Sequence, residues 1–377
     1  MKNSFLLVFI VLWGCTFPRK GEVHNEKLIV IEEINPEYAS GFKLYKTDQG
    51  ILLEVLKPYV GATSSLKYLF VSKISRAGDS TFQSDSITVI QVPVQSIICT
   101  STSHIPLLTY LNEQEKLVGF PNTEYISNKK MRARIDEGLV TDVGSADQLN
   151  TEKVMGISPD LIMAYSVNDL QSVSRLEQYG QKVLVNSDFL EKTPLGRSEW
   201  IKVAGLLFGK YEMADSIFQQ IRDEYNKYRL PVAEGPCAFS GSVYGDAWFM
   251  PGGRNGGAKL LQDAGFQYDW GGNEEEGHLK LGFERVFEKS GDCDFWIGPS
   301  PFKTLNDLGE ADQRYQKFKA FQNGNVFVYD NKMGDTGGNE YFEEGYLRPD
   351  IILKDLISIR EPGSVEGHEL YFYRKLQ

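Results

Sequence analysis

Four histidines, His24, His104, His278 and His368, are all the imidazole this sequence holds, and they are scattered along its length. A transition-metal site gathers two or three such ligands around one ion. Only His104 and His278 are a pair that two facing lobes would bring together, so a bare zinc or manganese ion stays an alternative ligand. Cys99, Cys237 and Cys293 are equally far apart and lack the C-x-x-C spacing of zinc and dithiol sites. Each lies in or beside an apolar strand-like run, where a buried free thiol is the ordinary expectation. Cys237 and Cys293 can also pair in an oxidising compartment, and the sequence leaves that choice open. The stretch Gly205-Leu206-Leu207-Phe208-Gly209-Lys210-Tyr211 has the wrong glycine spacing for a phosphate loop and no hydroxyl after the lysine. Pro251-Gly252-Gly253-Arg254-Asn255-Gly256-Gly257 is glycine-rich but does not match the dinucleotide fingerprint, and no Gly-x-Ser-x-Gly elbow occurs. These residues ask for no catalytic set, no resident cofactor and no metal. A secreted enzyme using carboxylate or serine chemistry is the second alternative.

The elements that surround these residues set the frame. A chain of 377 residues suits two α/β domains with room for an appendage. With 41% hydrophobic and 24% charged residues it is an ordinary globular composition. A formal charge of −11 argues against a nucleic-acid partner. At the N-terminus, Lys2 precedes the apolar run Phe5 to Leu12, too short for a membrane span and suited to a signal-peptide core. The run ends in Leu12-Trp13-Gly14-Cys15, which resembles a lipobox, so residues 1–15 read as a lipoprotein signal with Cys15 as the acylated residue. The mature protein is then tethered to a membrane by lipid and not embedded in it. That places it in the periplasm of a Gram-negative-type bacterium.

From residue 16 to 92 a polar tether leads into β-forming runs such as Phe42 to Tyr45, Ile51 to Val55 and Tyr68 to Val71, a small antiparallel extension. From 93 to 209, strand-like runs alternate with helix-like ones: Ser96 to Thr100, Lys116 to Phe120, Asp160 to Tyr165 and Lys182 to Asn186 are the strands. That rhythm predicts a parallel sheet covered on both faces. Tyr211, Ala214, Ile217, Phe218, Ile221, Tyr225 and Tyr228 fall at helical spacing and predict a single long linker helix over 210–231, stopped by Pro231. The strand and helix rhythm then resumes over 232–377 in a second α/β lobe. The fold class is therefore α/β, two doubly wound Rossmann-like lobes joined by one long helix, with a β-rich N-terminal extension.

Two segments carry a family resemblance. Val143-Gly144 through Leu149-Asn150-Thr151-Glu152 to Ser158-Pro159-Asp160-Leu161-Ile162 resembles the "VG…LNLE-x-I-x-x-L-x-PDLV" stretch of the iron-siderophore and cobalamin binding-protein family, the long-helix class of periplasmic binding proteins. Leu281-Gly282-Phe283-Glu284-Arg285-Val286, followed by Asp294-Phe295-Trp296-Ile297, resembles the matching element of that family's second lobe. The resemblance covers about residues 90 to 361. It implies a binding protein without catalysis, whose partner is an ABC permease dimer with its ATPase. It also implies that Glu152 and Glu284 start helices at the lobe tips and dock on permease arginines, a geometry that helix dipoles favour. The implied ligand is a metal chelate, such as a ferric siderophore, a corrinoid or haem, held in the interlobe cleft. In doubly wound lobes the binding edge is the carboxyl end of the strands. Those ends offer His104, Tyr125, Tyr165, Tyr244 and Trp248, and the later loops add Arg254, Trp270 and Tyr341. Aromatic rings at such positions give a large flat ligand contact area, and Arg254 suits an anionic one.

Overall fold

The computed structural model describes residues 28–73, 84, 86–146, 148–231, 235–299 and 302–377. The signal-like segment with Cys15, and His24, lie outside them. The first sheet has the order β1 (Val30–Ile34), β2 (Phe42–Thr47), β3 (Ile51–Val55), β4 (Leu66–Ser72), β5 (Thr88–Val92). β1 to β4 pair antiparallel, but β5 lies parallel to β4 with Thr88 opposite Tyr68. The extension is thus a mixed sheet and not the purely antiparallel unit expected. Alternation along β2 and β3 turns Phe42, Leu44, Leu53 and Val55 inward, all nearly without exposure. They join one continuous core with Trp200, Ile201 and Leu207 of the lobe behind them.

Two buried carboxylates fasten this extension. Glu199 accepts the backbone N–H groups of Glu37, Tyr38 and Ala39 at 2.7–2.9 Å. Glu191 accepts those of Ser40 and Gly41 and the indole N–H of Trp200. A Cβ at Gly41 would stand 2.8 Å from the Glu191 carboxylate, so glycine is the residue that lets the backbone come this close.

The first lobe is a fully parallel sheet in the order β10-β9-β6-β7-β8, from β6 (Ile97–Cys99), β7 (Leu117–Phe120), β8 (Thr141–Asp142), β9 (Leu161–Ala164) and β10 (Val183–Val185). β6, β9 and β10 are buried on both faces, as continuous apolar runs require. Helices α1 (His104–Tyr110), α2 (Lys129–Asp136), α3 (Thr151–Ile157) and α4 (Gln171–Gln178) cross between them. α5 (Pro194–Glu199) starts on a Thr193 cap with proline in its first turn, and α6 (Ile201–Phe208) ends at Gly209 in the left-handed conformation.

α7 (Tyr211–Tyr228) then carries the chain to the second lobe, burying Ala214, Phe218, Ile221 and Tyr225 along one stripe. Its Tyr225 hydroxyl donates to the buried Asp263 carboxylate at 2.8 Å, tying it to α8 (Gly256–Asp263). The second main sheet has the order β14-β11-β16-β17-β18. Here β11 (Cys237–Ser240), β14 (Gln267–Tyr268), β16 (Phe295–Ile297) and β17 (Val326–Val328) are parallel, and β18 (Arg374–Lys375) is antiparallel. A small antiparallel sheet, β12 (Ser242–Tyr244), β13 (Ala247–Pro251) and β15 (His278–Leu281), stands beside it. The remaining helices are α9 (Phe283–Ser290), α10 (Leu305–Ala311), α11 (Lys319–Gln322), α12 (Glu340–Glu343) and α13 (Pro349–Arg360). The buried Asp355 of α13 accepts the backbone N–H groups of Tyr371, Phe372 and Tyr373, and His368 lies 2.6 Å from it. Among the described residues no helix is long and apolar enough to cross a membrane.

Candidate ligand-binding site

Residues that follow strands of the two main sheets meet around Arg197 and build the site. After β10 the chain turns through Asp188 and Phe189 into the capped helix α5, whose fourth residue is Arg197. Arg197 is half-buried and held in place: its Nε donates to the Asp188 carbonyl at 3.3 Å and an Nη to the Phe189 carbonyl at 3.2 Å. Its guanidinium lies 4.0 Å over the ring of Tyr346, which comes from the second lobe. No carboxylate among the described residues stands within 4.0 Å of it as an ion pair. His278 of β15 lies in the same field; the protein around its ring and then the Arg197 charge lower its pKa, keeping it neutral at pH 7. Tyr341 stacks on Tyr329 at 4.8 Å and meets Phe342, which meets Tyr346 in turn. On the first-lobe side, Tyr165 packs edge-on against Phe189 at 4.6 Å. The arrangement is an aromatic wall around a fixed cation whose nearest acidic neighbour, Asp188, acts on it at a distance and not as an ion pair.

A segment of the second lobe crosses to the first beside this wall. Thr336 Oγ1 donates to the Glu124 carbonyl, Ser198 Oγ to the Leu347 carbonyl, and the Tyr110 hydroxyl to Glu344, each at 2.6 Å. Glu343 is buried and accepts Ser127 N–H, Ser127 Oγ–H and Asn128 N–H at 2.7–3.0 Å. Burial pushes its pKa up to about 7, against the opposing pull of those donors. A Cβ at Gly338 would come within 2.3 Å of the Tyr125 carbonyl, so the strap sits directly on the first lobe. On the far side of the interface, Glu276 pairs with Lys192 of the first lobe and Lys57 of the extension. Two hollows on the second lobe, one around Thr304, Asn331 and Tyr373 and one around Phe287, Arg314 and Gln322, include no residue of the first lobe.

Of the eight ligand residues expected, Tyr341 feels the Arg197 charge, and Tyr165 packs on Phe189, whose carbonyl accepts from Arg197. Tyr125, 55% exposed, stands where the strap lands. Tyr244 is 79% exposed on the small sheet, and Arg254 is paired with Glu274 at the surface. Three expectations are corrected. Trp248 has no exposed surface; it lies among Phe239, Trp296 and Phe318, and its indole donates to the Ser240 carbonyl at 2.9 Å. Trp270 is buried beneath the ammonium of Lys289, 4.2 Å from its ring. His104 is fully enclosed in the first lobe, where burial lowers its pKa to about 3. Trp248 and His104 offer a ligand no surface, and Trp270 keeps only 7% of its own. Arg197 and Tyr346 are the residues the sequence did not point to.

Glu152 and Glu284 are each the second residue of a helix, α3 and α9, and both are exposed. Glu284 lies 3.5 Å from Arg314 of its own lobe. The Cys237 and Cys293 sulfurs are joined in a disulfide, which settles in the structure what the sequence left open. Cys99 is a buried free thiol.

The fold has known counterparts. The family description "periplasmic binding protein" matches residues 97–333. The chain belongs to that family. An uncharacterised lipoprotein of Methanocaldococcus jannaschii is 24% identical over 98% of this chain and 94% of its own length, so the likeness extends through the N-terminal sheet. A periplasmic heme binding protein from Pseudomonas aeruginosa superposes with a TM-score of 0.56 at 18% identity, covering 75% of this chain and 98% of that one. The periplasmic vitamin B12 binding protein of Vibrio cholerae gives 0.51 at 16% identity, with 71% and 97% covered.

Proposed function

We propose that this chain is the solute-binding lipoprotein of an ABC importer, which captures a metal chelate between its lobes and delivers it to a permease dimer driven by its ATPase. Arg197 carries the reading. A half-buried guanidinium without an ion-pair partner, walled by Tyr346, Tyr341, Phe189 and Tyr165, suits a ligand that brings its own negative charge and a broad apolar surface. Ferric siderophores, corrinoids and haem share that chemistry, and the names of the heme-binding and vitamin B12-binding neighbours support the class. No catalytic step is part of the proposal. Among the described residues no set of three metal-ligating side chains lines the interlobe face, which gives the bare-ion alternative no support. Acylation at Cys15 would hold the protein on the outer face of a membrane, in keeping with the lipoprotein names of its relatives. Those relatives are archaeal, so the proposal is an extracytoplasmic tethered protein and no longer a Gram-negative periplasmic one. Glu152 and Glu284 would meet permease arginines, Glu284 exchanging its exposed pair with Arg314 for one across the interface.

The test is calorimetric titration of the chain with cyanocobalamin, haemin and ferric catecholate and hydroxamate complexes. Saturable binding of one of them at about micromolar Kd or tighter is the expected result. With a binder in hand, Glu152→Arg with Glu284→Arg should abolish uptake in reconstituted vesicles while leaving ligand affinity unchanged. Binding of bare zinc or manganese in place of every chelate would sink the proposal.

A further inference from the structure

Cys237 opens β11, Cys293 stands two residues before β16 and Asp269 follows β14, three strands that are neighbours in one sheet. The two cysteines lie at the amino ends of their strands. One oxygen of Asp269, Oδ2, stands 3.7 Å from each sulfur. The three ligand atoms fall within 4.8 Å of one another, and among the described residues no other group of His, Cys, Asp and Glu does so. In the oxidised pair this carboxylate is poorly placed. A disulfide has no proton to donate, and its sulfur lone pairs repel an anion. The nearby Lys289 ammonium donates to the Asp269 backbone carbonyl and not to the carboxylate. The reduced pair explains the position: two thiolates and a carboxylate converge as three anionic donors with a fourth position open to water. Two sulfur donors select thiophilic ions over magnesium and calcium. Asp269 and Cys237 are half-buried, so an ion reaches the site from solvent, while Cys293 closes it from behind.

We propose that reduction of the Cys237–Cys293 disulfide turns this corner of the second lobe into a binding site for a thiophilic divalent cation, zinc or cadmium, held by both thiolates and the Asp269 carboxylate. An external dithiol supplies two electrons and two protons, the sulfur–sulfur bond breaks, and the donor leaves as its own disulfide. The two new thiols lose their protons to solvent as the cation binds. Reoxidation by an external disulfide, which accepts the two electrons, takes two protons from solvent and leaves as its dithiol, re-forms the bond and expels the ion, so metal content follows redox state.

The full chain, reduced with a phosphine that does not chelate and handled without oxygen, is titrated with cadmium. Uptake is read from thiolate-to-metal charge-transfer absorption, with far-UV circular dichroism recorded alongside. One equivalent bound by the reduced chain and none by the oxidised chain is the expected result. Cys293→Ser should abolish the site, and Asp269→Asn should weaken it about tenfold or more. Binding at Cys15 or Cys99 would survive Cys293→Ser and overturn the assignment. No uptake after reduction would also overturn it. So would loss of the folded spectrum on reduction, because the three ligands would no longer converge.

Discussion

Arg197 shows how far a single residue lies from its sequence signal. It sits one turn inside a short helix, behind an ordinary threonine cap, and nothing in Thr193-Pro194-Leu195-Gly196-Arg197 marks it as a receptor. Its meaning comes from tertiary placement: two carbonyls aim it, and a tyrosine from the other lobe covers it. Arg197→Gln is expected to weaken binding of the anionic chelate by roughly 1.5–3 kcal/mol, about ten- to hundredfold, with the fold intact by circular dichroism. Arg197→Lys should recover part of this, since the charge stays but the planar fork is lost. Equal affinity in all three proteins, measured calorimetrically, would remove Arg197 from the site. The Trp248 error has the opposite origin. Aromatic residues after a strand end read as a wall for ligand, yet Ala247 to Pro251 is itself a strand, and its pleat points Trp248 into the core. A side chain's direction cannot be read where the element carrying it is missed.

Among the elements, the long apolar runs were legible. β6, β9, β10, β11, β16 and β17 stand where continuous burial predicts them, and the stripe from Ala214 to Tyr225 became α7. The two-residue strands β8, β14 and β18 were not, because a pair of residues carries no period. The small sheet β12-β13-β15 was missed for a related reason: its third strand lies across an intervening helix and loop from the first two. Sequence also gave no hint of the carboxylate clasp on the extension, since Glu191 and Glu199 are about 150 residues from the backbone they hold. Glu199→Ala would leave three backbone N–H groups and the Lys202 ammonium without their buried acceptor. A loss of roughly 3 kcal/mol in urea-unfolding free energy is expected. A loss below about 1 kcal/mol would show the clasp to be dispensable.

At the scale of the whole molecule, Glu343 joins the lobes and makes the stability of the fold answer to pH. Its pKa stands raised from 4.5 to about 7 in the folded protein because the carboxylate is buried. A raised folded value means that protonation favours the folded form. The stabilisation is complete below pH 4.5 and is lost as pH climbs through 7, by about 3 kcal/mol in all. Asp188, raised to about 6, acts in the same direction. The thermal midpoint should therefore fall between about pH 5 and about pH 8, and the fall should be smaller in Glu343→Gln. Identical pH profiles for the two proteins would show that Glu343 ionises freely.

The carboxylate clasps bear on where this molecule can be cut. The family match runs from 97 to 333, whereas Glu191 and Glu199 grip residues 37–41 and Asp355 grips residues 371–373. The span of the family match is therefore smaller than what must be present for the chain to bury its charges. An expression fragment trimmed to the module would expose the Trp200 face and leave the carboxylates of Glu191 and Glu199 facing solvent across a bare apolar surface. Cloning boundaries for this protein belong at residue 28 or earlier and beyond residue 373, set by hydrogen-bond acceptors and not by the limits of the family match.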